Sequence, residues 1–282
     1  MLTSLNPLLA DAESGPVAVG SFNVYSYETI RGVLEAGAAT SVPVILAFGE
    51  RYLENMDFPT VAAITRSVAA GLDVDHVLHL DHCKSLDHVY QAIAAGFTSV
   101  MYDGSALPFE ENLANTAAVC QVAHALGVSV EAELGSLASG ANSQESEGAL
   151  THVYTDPAQA REFTERTGTD ALAVSIGTVH GAYKGEPNIR LDILREIRAE
   201  VGTPLVLHGG SGTPDDVVRE CIRQGIRKIN VNTEISTYAS NRLREHLAGS
   251  AVVHLSELSL TLTTSVKEAA TGYIDLFRST AA

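Results

Sequence analysis

Short runs of apolar, often β-branched residues alternate along this chain with longer Ala-rich stretches whose apolar positions recur at helical spacing. The short runs cover residues 17–24, 42–48, 76–80, 99–102, 128–132, 171–176, 204–207 and 227–231, and each predicts a strand. Several of the stretches between them carry helix start and stop signals. Asp156 precedes Pro157 and Gly168 follows, Thr213 precedes Pro214, Asp215 and Asp216 with Gly225 as the stop, and Ser85 to Gly96 reads in the same way. Strands that alternate with helices imply parallel pairing and right-handed crossovers, and eight such units are the number that closes a barrel. The pattern predicts an α/β fold, a single (β/α)8 barrel over residues 1–282 with a C-terminal helical extension, and no Pro-rich linker or compositional shift divides it.

Two stretches depart from the alternation. Residues 135–151 (GSLASGANSQESEGALT) are small, polar and Gly-rich, which predicts a mobile loop after the fifth strand, placed where it would cover the barrel mouth. From Ser240 onward (240–282) the pattern is helical again, with the Thr-rich LSLTLTTS expected to break it.

Composition narrows the partners. With 282 residues of which 45% are apolar, the chain buries a large core, and a formal net charge of -16 argues against nucleic acid or an anionic membrane as a partner. An anionic ligand must then be held locally, by backbone N–H groups, a metal or a single lysine. The first 30 residues hold no Lys or Arg and the longest apolar runs, such as VPVILAF, are too short to span a bilayer, so a cytoplasmic location is expected. Cys83, Cys120 and Cys221 are odd in number and lack a CxxC spacing, which predicts buried thiols rather than a disulfide framework.

Polar residues close nearly every expected strand: Asn23, Asp81 with His82, Asp103, Glu133, His180, His208, then Asn230 and Asn232. In such barrels the chemistry sits where strands end. A single strand-end histidine is ordinarily a hydrogen-bonded structural residue, but His82, His180 and His208 at the ends of strands three, six and seven point to a divalent metal such as zinc. His79, inside its strand, is expected to be a satisfied interior histidine. Asp81 is either a proton-transfer group at the metal's edge or a carboxylate that orients a liganding histidine. Glu133 has three readings: partner of a liganding histidine, alternative ligand, or hydrogen-bond acceptor. Gly209, Gly210 and Ser211 after strand seven, Asn230, Val231, Asn232 and Thr233 at strand eight, and Lys184 in GAYKGEP form a second group suited to a phosphate.

The motifs HLDHC, SVMYDGS, VEAELG, SIGTVHGAYKGEP, PLVLHGGSG and KINVNTE, in this order, resemble the class II (zinc-dependent) ketose-bisphosphate aldolases, a group that includes fructose- and tagatose-bisphosphate aldolases. The resemblance runs from about Gly20 to about Asn241. It implies a TIM barrel, a homodimer or homotetramer, and a phosphosugar substrate. It also implies zinc on His82, His180 and His208, and Asp81 as proton donor and acceptor at the C4 hydroxyl. Asn23, Gly181, Lys184, Gly209, Gly210, Ser211, Asn230, Val231, Asn232 and Thr233 would contact the substrate, with Na⁺ or K⁺ beside its phosphate in some members. The implied reaction is reversible cleavage of a ketose phosphate to dihydroxyacetone phosphate and an aldehyde through a zinc-stabilised enediolate.

Three positions depart from the family pattern. Gly49 stands where a Ser or Thr is common. The loop reads ASGANSQESEG in place of GGQED, so Glu145 and Glu147 are both candidates for the C3 proton. The region AGSAVVHLSELSLTLTTSVKEA has neither a DPRKF-type segment nor the following Arg that reaches a second phosphate. Two other functions are weighed against the aldolase. A zinc hydrolase on the same barrel would ordinarily carry H-x-H on its first strand, which this chain lacks. A non-catalytic assembly subunit would have no use for the intact histidines.

Overall fold

The computed structural model describes residues 1–136, 138–139, 153–181, 188–249 and 252–279, with residues 138, 139 and 180 described by backbone alone. Its elements in chain order are α1 (Leu5–Glu13), β1 (Val19–Asn23), α2 (Tyr27–Thr40), β2 (Val44–Gly49), a 3-10 turn (Glu50–Glu54), α3 (Phe58–Ala69), β3 (His76–Cys83), α4 (Leu86–Ala95), β4 (Ser99–Tyr102), α5 (Phe109–Ala125) and β5 (Ser129–Leu134). There follow β6 (Ala138–Ser139), α6 (Pro157–Thr167), β7 (Ala171–Val174), β8 (Val179–His180), α7 (Leu191–Glu200), β9 (Leu205–Leu207), α8 (Asp215–Arg223), β10 (Ile226–Val231), α9 (Thr233–Gly249) and α10 (Leu255–Arg278). Eight parallel strands close into a barrel in the order β1-β10-β9-β7-β5-β4-β3-β2. Every predicted strand is one of these eight, displaced by at most a few residues at its ends. No described helix is long and apolar enough to cross a membrane.

Capping fixes where several helices begin. Asp156 accepts from the Gln159 N–H and Ser85 from that of His88, and the helices they open end on Gly168 and Gly96 in left-handed conformations. Thr213 behaves differently from expectation. Pro214 occupies the cap position of α8, and the Thr213 hydroxyl donates to the Gly209 carbonyl, tying down the turn after β9.

Three further differences concern elements the pattern did not predict. Helix α1 buries Leu5, Leu8, Leu9 and Ala12 against Val19, Ile45, Val77, Ala171, Ala173 and Val206, plugging one end of the barrel with apolar surface. Within the expected loop 135–151, Ala138–Ser139 form a strand parallel to Val179–His180, and Ser136 pairs with Val153; residues 137 and 140–151 of it lie outside the described residues. The stretch LSLTLTTS does not break the C-terminal helix. Thr263 and Ser265 return their hydroxyls to the carbonyls of Ser259 and Thr261, which satisfies these side chains within a continuous α10. Ser240 itself lies inside α9.

Alternation along the strands sends every second residue to the barrel axis. At the end plugged by α1 these residues are mostly apolar, with the Ser129 hydroxyl accepting from the Leu5 N–H, and toward the opposite end they become polar: His79 and Asp81 on β3, Glu131 and Glu133 on β5, Lys228 and Asn230 on β10. Lys228 is fully buried. Its Nζ lies 2.8 Å from Glu131 Oε2 and 3.1 Å from Oε1 and donates to Asn230 Oδ1 at 2.7 Å. Burial alone would raise the Glu131 carboxyl, but the Lys228 ammonium and a hydrogen bond from His208 hold it far below the usual carboxylate range. Next to this pair, burial and the Lys228 charge push the His79 imidazole down to about 4, so it is neutral, with Nδ1 2.8 Å from the Ser99 hydroxyl.

Removing one member of a buried ion pair strands the other. We expect Lys228→Met to cost about 3–5 kcal/mol in urea denaturation and the double variant Lys228→Met/Glu131→Leu to recover a substantial part of that loss. A single variant as stable as the parent would show that the pair does not hold the barrel interior.

Candidate active site

The polar end of the barrel is where β3, β5, β9 and β10 finish, and its first device is a departure from regular strand geometry. Successive residues of a strand point to opposite faces, so Asp81 and His82 would normally face apart. His82 instead has φ 44°, in the left-handed region that a non-glycine residue rarely adopts. The pairing register with β4 shifts between Leu80 and Cys83 at the same place. Both side chains are thereby turned toward the mouth.

Asp81 is held by two amides: Asn23 Nδ2 donates to Oδ2 at 2.9 Å and Asn230 Nδ2 to Oδ1 at 3.0 Å. Burial would raise its carboxyl, but His82, Lys228 and His208 hold it well below the ordinary range, so it is ionised. Two predicted substrate-contact residues, Asn23 and Asn230, thus spend their amide N–H groups on Asp81.

His82 and His208 meet edge to face, with ring centroids 4.5 Å apart. Each has a carboxylate on one ring nitrogen. His82 Nδ1 donates to Asp103 Oδ2 at 3.2 Å, and His208 Nε2 donates to Glu131 Oε1 at 2.9 Å. In the neutral imidazoles this puts lone pairs on His82 Nε2 and His208 Nδ1, the arrangement by which carboxylates orient metal-binding histidines. Glu133 Oε2 lies 3.6 Å from His82 Nδ1 and 3.7 Å from His208 Nδ1 and accepts no hydrogen bond among the described residues.

Ligand-type atoms of Asp81, His82 and His208 all lie within 4.8 Å of one another, as do those of His82, Asp103 and Glu133. The electrostatics favour a cation. Burial depresses the His82 imidazolium, yet Asp81, Asp103 and Glu133 push it up to about 10. Burial and the neighbouring Asp103 raise the Glu133 carboxyl well above its ordinary value. Burial and the charge of His82 lower His208. With carboxyl groups of Asp81, Asp103 and Glu133 gathered around two imidazoles, the donor set fits a divalent ion.

His180 is placed by its backbone alone, in β8 beside the end of β9. There Gly209, at φ 69°, packs against the Val179 main chain so closely that a Cβ would collide with the Val179 carbonyl. Gly181 follows at φ 94° and is buried. The turn after β9 is pinned to β10 by Gly210 N–H to Asn230 O at 3.1 Å, and the Ser211 hydroxyl accepts from the Glu234 N–H at 3.3 Å in the first turn of α9. The predicted phosphate residues Gly209, Gly210, Ser211, Asn230, Val231, Asn232 and Thr233 therefore form one contiguous rim. Asn232 also donates to Tyr52 Oη at 2.9 Å. Lys184, Glu145 and Glu147 lie outside the described residues.

Sequence reasoning missed Glu131 and Lys228, the charges behind the site. The strict period-two polar pattern in SVEAE and in RKINVN was the available signal, since alternate polar residues in an otherwise apolar strand face the axis.

The chain has relatives along nearly its whole length. A family model described as fructose-bisphosphate aldolase class-II matches residues 3–282. A "Probable fructose-bisphosphate aldolase" of Bacillus subtilis (strain 168) is 43% identical over 252 residues, covering 88% of this chain and 87% of that one. The fructose-bisphosphate aldolase of Staphylococcus aureus (strain COL) is 41% identical over 251 residues, covering 87% and 86%. Among solved structures, the YdjI aldolase from Escherichia coli K12 matches with a TM-score of 0.88 at 36% identity over 100% of both chains. A closed parallel barrel, histidines and carboxylates gathered at its mouth, and kinship along nearly its whole length place this chain in the class II fructose-bisphosphate aldolase family.

Proposed function

We propose that the chain cleaves a ketose phosphate between C3 and C4 to dihydroxyacetone phosphate and an aldehyde, with Asp81 as the proton-transfer group and His82, His180 and His208 as the ligands of a zinc ion. The observation that carries this reading is the placement of Asp81. It is an ionised carboxylate clamped by two amides, within 4.8 Å of ligand atoms on both His82 and His208. A zinc ion held there would supply Lewis-acid stabilisation of the negative charge that develops on the ketose carbonyl side.

The chain's own residues do the rest. Asp81 accepts the C4 hydroxyl proton as the C3–C4 bond breaks; the C4–O bond becomes the aldehyde carbonyl, and the bonding pair stays with the dihydroxyacetone phosphate half, which is then protonated at C3. Condensation reverses each transfer. Asn23 and Asn230 keep the Asp81 carboxylate aimed and ionised. Asp103 and Glu131 orient the two imidazoles from behind, and Glu133, less than 4 Å from both, is an alternative ligand. Gly181, Gly209 and Ser211, with Val231, Asn232, Thr233 and Lys184, hold the phosphate by backbone N–H groups, the α9 end and one ammonium, with Gly210 shaping the turn through its N–H to the Asn230 carbonyl and Na⁺ or K⁺ beside the phosphate. This arrangement binds an anion on a chain of net charge -16. Zinc as the ion, assembly as a homodimer or homotetramer and a cytoplasmic location belong to the same reading and rest on family membership. Glu145 or Glu147 is assigned the C3 proton on the same basis.

The test is a coupled assay for dihydroxyacetone phosphate release from fructose and tagatose bisphosphates and from ketose 1-phosphates. Activity is expected to vanish with chelator and return with zinc. Asp81→Asn, which keeps the shape and removes the base, is expected to lower kcat roughly 10²–10⁴-fold. Full turnover in Asp81→Asn or in chelated enzyme would sink the proposal. In equilibrium dialysis of the purified protein, His208→Ala and Glu131→Gln are both expected to bind zinc more weakly, the second by roughly 10–100-fold through loss of the orienting hydrogen bond. Unchanged zinc affinity in His208→Ala would remove that residue from the ligand set.

A further inference from the structure

Asp81 and His82 face the mouth together only while the backbone keeps its left-handed turn at His82, and such a conformation persists where its surroundings fix it from several directions. On the upstream side the fixing is ordinary pairing. Asp81 stands opposite Gly49, the last register position that β2 shares with β3. There the ladder ends, because the next residue of β2's chain opens the 3-10 turn. That residue is Glu50, and its side chain takes over where the backbone pairing stops.

The Glu50 carboxylate reaches three groups just beyond His82. Oε2 accepts from the Lys84 N–H at 3.0 Å, while Oε1 lies 2.6 Å from His88 Nδ1 and 3.5 Å from the Cys83 thiol. The Lys84 bond has the most direct bearing on the turn. It belongs to the peptide unit whose other end, the Cys83 carbonyl, accepts from the Asp103 N–H at 2.8 Å. One peptide unit, a single residue past the left-handed position, is thus gripped at both ends: by Asp103 after β4 and by Glu50 after β2. Asp103 also orients the His82 ring directly, whereas Glu50 bonds to neither His82 nor Asp81. The His88 arm leads elsewhere, since that imidazole sits on α4 and meets the Phe58 ring of α3 edge to face, 6.1 Å between centroids.

We propose that Glu50 is a positioning residue, which by accepting the Lys84 N–H holds the backbone that turns His82 and Asp81 toward the mouth. The proposal rests on the reading of His82 as a metal ligand and Asp81 as the proton-transfer group. The role is one of reach rather than charge. A glutamine of the same length still offers an oxygen to the Lys84 N–H and an NH₂ group to the neighbouring imidazole. An aspartate keeps the charge but is one methylene shorter, so it meets that N–H only if the backbone moves. A shift of about 1 Å in a catalytic constellation is enough to cost about 10²-fold in rate.

The test uses full-length protein stripped by chelator and reloaded with zinc or cobalt(II), and compares Glu50→Asp, Glu50→Gln and His88→Leu with the parent. It reads metal affinity by equilibrium dialysis and the visible spectrum of the cobalt(II) protein, which responds to the arrangement of donors around the ion. It also reads kcat and KM for dihydroxyacetone phosphate release at metal saturation, and urea denaturation of each variant. Glu50→Asp is expected to bind zinc roughly tenfold more weakly, with an altered cobalt spectrum, and to lose roughly 10–100-fold in kcat with little change in KM. Glu50→Gln and His88→Leu are expected to keep the parent's spectrum and to stay within about threefold of its affinity and kcat, well inside the roughly 10–100-fold loss that a misplaced ligand brings.

A Glu50→Asp protein that loses only stability, with affinity, spectrum and kcat unchanged, would overturn the proposal. Losses in Glu50→Gln as large as those in Glu50→Asp would overturn it by placing the effect in the charge, and equal losses in His88→Leu would do so by placing it in the seating of α4. Metal binding is read without substrate, which separates the two readings. A parent that binds metal but releases no dihydroxyacetone phosphate would overturn the aldolase reading and the Asp81 half of the proposal, leaving affinity and spectrum to decide the His82 half. A parent that binds neither metal would overturn both.

Discussion

A lysine ammonium with no access to water must find its acceptors inside the protein, and in this barrel the solution found for Lys228 organises everything above it. Its contacts with both oxygens of Glu131 and with Asn230 leave each partner one more commitment to make. Glu131 spends it on the Nε2 hydrogen of His208, fixing that ring's tautomer. Asn230 spends it on Asp81. One buried charge therefore orients a candidate metal ligand and the candidate proton carrier at the same time, from a layer below either. Burial first, and then this positive charge, lower the neighbouring His79, and the charge adds to that of His82 in lowering Asp81.

The fold was legible because its signals are local and repeated. Each barrel strand is a short apolar run bounded by turn or cap residues, and caps such as Asp156 and Ser85 act in the structure as their residue types predict. What escaped was non-local. Helix α1 is short, and its reason to exist is the open apolar end of a barrel that only closure creates. The hydroxyl-rich part of α10 looks like a helix breaker until its side chains are seen bonded to the carbonyls one turn back. In the site, strand-end residue types pointed to Asp81, His82, His208 and the glycine turn, which the structure brings to one end of the barrel. The roles of Asn23 and Asn230 on Asp81 depend on cross-strand distances that no spacing in the sequence encodes.

The barrel interior is graded, with apolar residues packed against α1 at one end and charges and amides at the other. This gradient separates stability from chemistry within one set of strands, since the apolar end can hold the sheet closed while the polar end accommodates buried charges.

The left-handed backbone at His82 also has a consequence for anyone who would move this site. On a regular strand the pair Asp-His offers one side chain to each face, so transplanting the two residue types onto another barrel reproduces half of the constellation. The portable unit is the whole segment from Leu80 to Cys83 with its slipped pairing to β4, because there the convergence of the two side chains is written in the backbone.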